Sequence, residues 1–190
     1  MRPIVIRSAF LLLLGATAWA GCGDPLSLLP ATIENKVDTT ELFATSQTPV
    51  IDPSGFIISS IQRVRLDQVN TFDFLYDVNA AGERFFLPLA ALINTGKTTG
   101  NSGFKPANQP FDSITVAPQS DYVSKDTVFL RLGDVLFARS GVESSCSLGI
   151  PYYAKLQILA FNDSAHTVKF RILANINCGY RSLAVGLPTK

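Results

Sequence analysis

The chain is short of charge, of histidine and of cysteine, and each shortage removes a class of function. Charged residues make up 16% of its 190 positions, against the roughly 25% typical of soluble domains, and the net charge is only +1. A nucleic-acid footprint requires a basic stripe or a strongly basic total, so no nucleic acid is expected as a partner. The single histidine, His166, follows Asn162-Asp163-Ser164 in a predicted turn. No G-x-S-x-G elbow accompanies it, and the oriented base and positioned nucleophile of a Ser-His-Asp hydrolase are missing. There is also no apolar run of the roughly 20 residues that a membrane-spanning helix needs, and no internal repeat.

The nearest approach to such a run opens the chain. Arg2 and Arg7 give a basic start, Ser8 to Gly21 carries no charge, and Phe10-Leu11-Leu12-Leu13-Leu14 lies within it. Basic, apolar and small-residue regions in that order are the layout of an export signal. Two cleavage readings fit. Ala18-Trp19-Ala20 is an A-x-A site for ordinary signal peptidase, which would leave Cys22 free or paired between molecules. Ala20-Gly21-Cys22 resembles the end of the lipobox of bacterial lipoproteins, with Trp19 standing where that family usually has an aliphatic residue.

The resemblance covers only the signal, and it implies that residues 1–21 are removed and that Cys22 is acylated. Cysteine arithmetic agrees with it. In an oxidising compartment an odd cysteine is a liability, and giving Cys22 to lipid leaves one pair, Cys146 and Cys178. Two or more acyl chains give stable membrane attachment. With Cys22 so used, the other two cysteines and His166 leave no cluster to hold zinc. The expected organisation is a signal at 1–21, a lipidated tether at 22–36 with Pro25 and Pro30, and one β domain at 37–190. That length suits a single core.

Beyond the tether, short β-like runs alternate with turn clusters. Val37 to Ala44, Phe56 to Ser60, Gln62 to Leu66, Phe72 to Val78 and Arg84 to Leu89 are β-branched, aromatic or alternating, and Pro53-Ser54-Gly55 and Asn79-Ala80-Ala81-Gly82 punctuate them. A helical turn is expected around Leu87 to Ile93. Thr95 to Pro110 reads as a long loop, and further strands follow at Ser113 to Val116, Thr127 to Arg131 and Val135 to Ser140.

A C-terminal hairpin from Tyr152 to Cys178 is the best-determined element. With Asn162 to His166 as its turn, Phe161 opposes Thr167. Val168, Phe170, Ile172, Ala174 and Ile176 then face Ala160, Ile158, Leu156, Ala154 and Tyr152 on one apolar side. Lys155, Gln157, Lys169, Arg171 and Asn175 fall on a side expected to be solvated. This register brings Cys178 near Ile150, and a turn at Gly149-Ile150-Pro151 would carry Cys146 to it. A Cys146–Cys178 disulfide is therefore predicted, closing a loop whose restraint is worth about 3–4 kcal/mol on the chain-entropy model. Non-reducing mass mapping should find that bond and no free thiol at either position.

Two further motifs are weak. Ala91 to Thr98 fits a relaxed phosphate-loop pattern, but Thr99-Gly100-Asn101-Ser102-Gly103 follows where a helix is required. Asp77 to Pro88 imitates the start of a calcium loop but has alanine at position five and proline in place of the bidentate glutamate. A hairpin turn explains it better. Asp73 and Asp77 would lie about 13 Å apart on one strand face at roughly 3.3 Å per residue, beyond the roughly 5–9.5 Å of glycosidase pairs, and read as solvated. Asp121, Asp126 and Asp134 are too scattered to group.

The positive hint is aromatic. Phe72, Phe74 and Tyr76 alternate on one strand, so one of the adjacent Phe85 and Phe86 must point away from the core. With Tyr153, Phe161 and Tyr180 these rings form a candidate docking or ligand surface. The expected protein is an all-β, antiparallel sandwich-like single domain with a C-terminal hairpin, tethered in the bacterial cell envelope. It is expected to be non-catalytic, without cofactor or metal, and to act as a structural or accessory subunit on a membrane or envelope protein partner. A carbohydrate- or small-ligand-binding module is the alternative.

Overall fold

Period-two alternation over short runs builds two sheets here, because each run can bury only one of its faces. The computed structural model describes residues 28–92, 101–141 and 146–188; the signal segment and Cys22 lie outside them. In chain order the elements are β1 (Val37–Phe43), β2 (Gly55–Ile57), β3 (Gln62–Val64), β4 (Phe74–Val78), β5 (Arg84–Pro88), a helical turn α1 (Leu89–Leu92), β6 (Gly103–Pro106), a 3-10 turn (Phe111–Ser113), β7 (Val128–Phe129), β8 (Val135–Arg139), β9 (Tyr153–Asn162) and β10 (Thr167–Asn175). One sheet runs β1-β10-β9-β8-β6 and the other β3-β2-β4-β5-β7, with every pairing antiparallel. The fold is the expected all-β sandwich.

Between the sheets lies one apolar core. Phe56, Phe74, Phe86, Phe104 and Phe170 are almost wholly buried and meet ring against ring, with Phe74 centroids 4.8 Å from Phe86 and 4.9 Å from Phe104. Such pairs add about 0.5–1.5 kcal/mol each beyond the area they bury. Leu42, Ile58, Leu156, Ile158, Val168 and Ile172 fill the space around them.

The C-terminal hairpin keeps the expected register from Phe170↔Ile158 through Ala174↔Ala154, but near the turn it shifts by one residue. Val168 opposes Phe161 instead of Ala160. The shift is a β-bulge that leaves Leu159 38% exposed. It brings the Phe161 ring against the core in place of the smaller Ala160, so burial of the larger apolar group sets the register at that end.

Three expectations change. First, the outer face of β9 and β10 is covered toward the disulfide end, while Lys169 near the turn is exposed as expected and Gln157 and Arg171 are half-buried. Residues from Ala107 to Tyr122 and the segment around Leu183 lie over it, and Phe111, Ile114, Tyr122, Tyr153, Leu173 and Leu183 form a second apolar cluster. Lys155 and Asn175 are buried beneath this layer. Second, the residues expected as a long loop carry β6, and Ser113 to Val116 is not a strand: a 3-10 turn and an isolated Val116↔Ser182 bridge stand there. These segments extend the sandwich edge and its cover, so their order comes from distant partners instead of local pattern. Third, the described part of the expected tether belongs to the domain. Asn35 bridges Gly186, Asn177 Oδ1 accepts the Thr32 and Ile33 amides, and the Tyr180 hydroxyl donates to the Leu29 carbonyl.

Candidate functional site

The disulfide end of the sandwich assembles from both ends of the described chain. Cys146 and Cys178 are bonded, with Cα atoms 5.4 Å apart, as the hairpin register implied. The intervening turn closes through the Gly149 amide on the Cys146 carbonyl at 2.8 Å, and Gly149 takes a positive φ of 70° that favours glycine. Gly179 stands at +82°, and a Cβ there would overlap Leu28. The absent side chain thus lets the N-terminal segment lie against the residue after the bridge.

Carbonyls of irregular chain have no ladder partners and must find donors elsewhere. At this end, buried asparagines supply them. Asn35 Nδ2 donates to the carbonyls of Ser182 and Ala184, Asn175 Nδ2 to Ser182, and Asn177 Nδ2 to Ile33. The result is a rigid rim around an apolar groove of about 400 Å³ lined by Leu29, Pro30, Thr32, Ile33, Ile176, Asn177, Cys178 and Tyr180. Leu29 is 85% exposed, and Ile33, Val185, Leu187 and Leu148 are also exposed on the same terminal segments and the disulfide turn.

The rings read from the sequence as a surface divide. Phe86 and Tyr153 are buried away from any surface: Phe86 sits in the main core and Tyr153 under the outer layer, whereas Tyr180, although largely buried beneath the N-terminal segment, lines the groove. Phe85 points away from the core, as one of the adjacent pair had to, and packs edge-on against the exposed Phe129 with centroids 6.3 Å apart. Phe161 is half-buried under the Arg84 guanidinium, 4.6 Å above its ring. The structure therefore does not bring the five rings together. What the sequence reading missed was the groove, because residues 28–36 read as linker; apolar Leu28, Leu29 and Ile33 in a supposed tether were the available signal.

Other candidate chemistries resolve into structure. Asp73 is fully buried instead of solvated. Its two carboxylate oxygens accept the Ile58 and Gly141 amides, each at 2.7 Å, and its backbone carbonyl accepts the Ser102 hydroxyl at 2.6 Å. Burial pushes its pKa up to about 6, while the two amide donors oppose the rise. Asp77 holds Ser46 through the amide and hydroxyl. In the calcium-like stretch, Asn79 Oδ1 accepts the amides of Ala81 and Glu83, which makes it the β4–β5 turn. Ala91 and Leu92 of the phosphate-loop-like stretch end α1, where that motif requires a strand, and its later residues lie outside the described ones. Among the described residues no group of His, Cys, Asp or Glu is placed to hold a metal.

Lys155 is the least expected polar group. Its ammonium lies under the outer layer and donates to the carbonyls of Phe111 and Ile114 at 2.9 and 2.7 Å. It sits 4.6 Å from the centre of the Phe111 ring. Desolvation lowers its pKa, opposed by the nearby Asp112 charge. The chain matches no protein-family model, no curated protein and no solved structure.

Proposed function

We propose that the chain is a non-catalytic lipoprotein of the bacterial cell envelope, anchored through acylated Cys22, whose disulfide end docks as an accessory subunit on a membrane-held protein partner. The observation that carries this reading is the apolar groove beside Leu29 and Ile33. Residues 23–28 can span at most about 22 Å at 3.3–3.6 Å each, so an anchor at Cys22 keeps the groove close to the membrane surface. A groove with concave apolar walls suits a protruding apolar segment of a protein better than a flat lipid face. The disulfide and the buried asparagines hold its walls in place before a partner arrives, which lowers the ordering cost of docking.

Gentle detergent extraction, size separation and intact-mass analysis test the reading. The expected result is co-migration with a defined complex and a diacylglyceryl mass on Cys22. Leu29→Asp with Ile33→Asp should release the chain from the complex while it stays membrane-bound, whereas Cys22→Ser should release it from the membrane. A chain that runs alone, unlipidated and beginning at Gly21, would overturn the proposal. The alternative, a small-ligand module, is favoured by a separate feature at the other end of the sandwich, a cleft beside His166.

A further inference from the structure

At the turn end of the hairpin the two sheets part. β10 alone is nine residues long, which at roughly 3.3 Å per residue puts this end about 30 Å from the disulfide. The gap is a cleft of about 240 Å³ between the β4–β5 hairpin and the β9–β10 turn. Tyr76, Arg84, Asp163, His166 and Gln47 line it. This volume is below the roughly 300–1,000 Å³ of drug-sized pockets, and it matches a single sugar acid or amino acid.

Its donors are fixed in place. The Tyr76 backbone is clamped on both sides: its amide donates to Ser54, and its carbonyl accepts both the amide and the hydroxyl of Thr45. The residue is 1% exposed overall and lines the cleft. Burial pushes its pKa up to about 12, so the phenol stays protonated and can donate. Arg84 lies over the Phe161 ring and reaches across the sheets to Asp163 at 2.5 Å. Asp163 itself is 80% exposed and sits on the turn, so little holds it there except the guanidinium. Phenol, guanidinium, amide and imidazole line a cleft whose one carboxylate comes from a solvent-facing residue.

We propose that this cleft binds a small organic carboxylate, with Arg84 taking its carboxylate in place of Asp163 and Tyr76 donating to a neighbouring oxygen. A guanidinium presents parallel N–H donors that match a carboxylate's two oxygens, and stacking on an aromatic ring keeps that fork oriented. Asp163 acts as an internal stand-in that satisfies the guanidinium until ligand displaces it. The site does not depend on the anchor or on the groove at the opposite end.

His166 is the only histidine, so its imidazole proton resonances give one unambiguous reporter at the cleft. The full chain in detergent micelles would be titrated with glucuronate, with glucose as the neutral analogue and glucose 6-phosphate as the phosphate analogue. The expected result is saturable movement of the His166 signals with glucuronate and little with glucose. Arg84→Gln should weaken binding at least tenfold and Tyr76→Phe about fivefold, in line with loss of a charged and of a neutral hydrogen bond. Asp163→Asn should tighten it several-fold, an effect that a purely structural ion pair would not produce. The proposal is overturned if glucuronate leaves the signals unmoved to roughly 10 mM, if glucose binds equally well, if only the phosphate binds, or if Asp163→Asn fails to tighten binding.

Discussion

The interior of this sandwich and the layer over its outer face are held by different physics. Between the sheets, Phe56, Phe74, Phe86, Phe104 and Phe170 contribute area and ring contacts and no buried charge. Over β9 and β10, a smaller cluster around Phe111, Ile114, Tyr122 and Leu183 is pinned by named polar groups: Lys155 on two carbonyls, Asn35 and Asn175 on the C-terminal segment, Arg171 on Asp112. The difference follows from backbone accounting. A strand satisfies its amides and carbonyls in the ladder, so its side chains can be purely apolar. Irregular chain cannot, so side chains must supply the missing bonds wherever such chain is buried.

The largest effect of a single substitution is expected in the interior. Phe74→Ala should cost about 3–5 kcal/mol, the range for deleting a buried aromatic ring, read as a fall in the urea midpoint with the slope unchanged. A cost under about 1 kcal/mol would mean that the core collapses around the gap and that ring packing contributes little.

Asp73 probes the joint between core and loops, where a buried carboxylate meets two amides. Its pKa is raised to about 6 from an ordinary 3.8. The folded state therefore holds the proton where the unfolded state has lost it, and stability falls as pH rises from about 4 to about 6. The loss is on the order of 3 kcal/mol for a shift of this size, at about 1.4 kcal/mol per unit. Thermal unfolding followed across that window should show a downward component absent from Asp73→Asn. That variant is itself destabilised, because its amide group would face an N–H donor. Identical pH dependence in the two proteins would show that the carboxylate is not desolvated.

The outer layer gives the smallest effect. Lys155→Met keeps the buried methylenes but leaves the Ile114 carbonyl without its donor and the Phe111 carbonyl with only the Ile114 amide at 3.4 Å, at about 2 kcal/mol. Hydrogen exchange should sharpen the contrast: amides of residues 107–123 should lose protection in this variant while those of β4 and β5 keep theirs. Uniform loss across both sheets would merge the two regions into one cooperative unit.

Much of the interior was legible before any coordinates, and the outer layer was not. Phe74 and Tyr76 declared β4 by alternation, although Phe72 lies before the strand and not in it, and the hairpin's apolar set predicted the pairing of Phe170 with Ile158 and, from it, the closeness of Cys146 and Cys178. The same rule assigned Lys155, Asn175 and Asp73 to solvent, because a polar residue at an alternating position looks solvated unless something is known to cover it. The cover comes from residues distant in sequence that have little periodicity of their own. For the candidate sites the position is similar. Leu29 and Ile33 sit in a proline-containing segment whose local pattern is that of a linker, and the convergence of Tyr76, Arg84 and Asp163 joins a hairpin from each sheet. No local spacing encodes it.

The amino-acid pattern by itself determined the all-β class, most strand positions, the main hairpin register and the cysteine pairing, since each depends on contacts along a strand or across one turn. Only the tertiary structure decided that the bulge at Leu159 turns Phe161 inward, that Asp73 and Lys155 are buried, and that a groove and a cleft stand at opposite ends. Those outcomes depend on which distant backbone arrives with unsatisfied donors and acceptors, and that is settled when the sheets and their covering segments pack together.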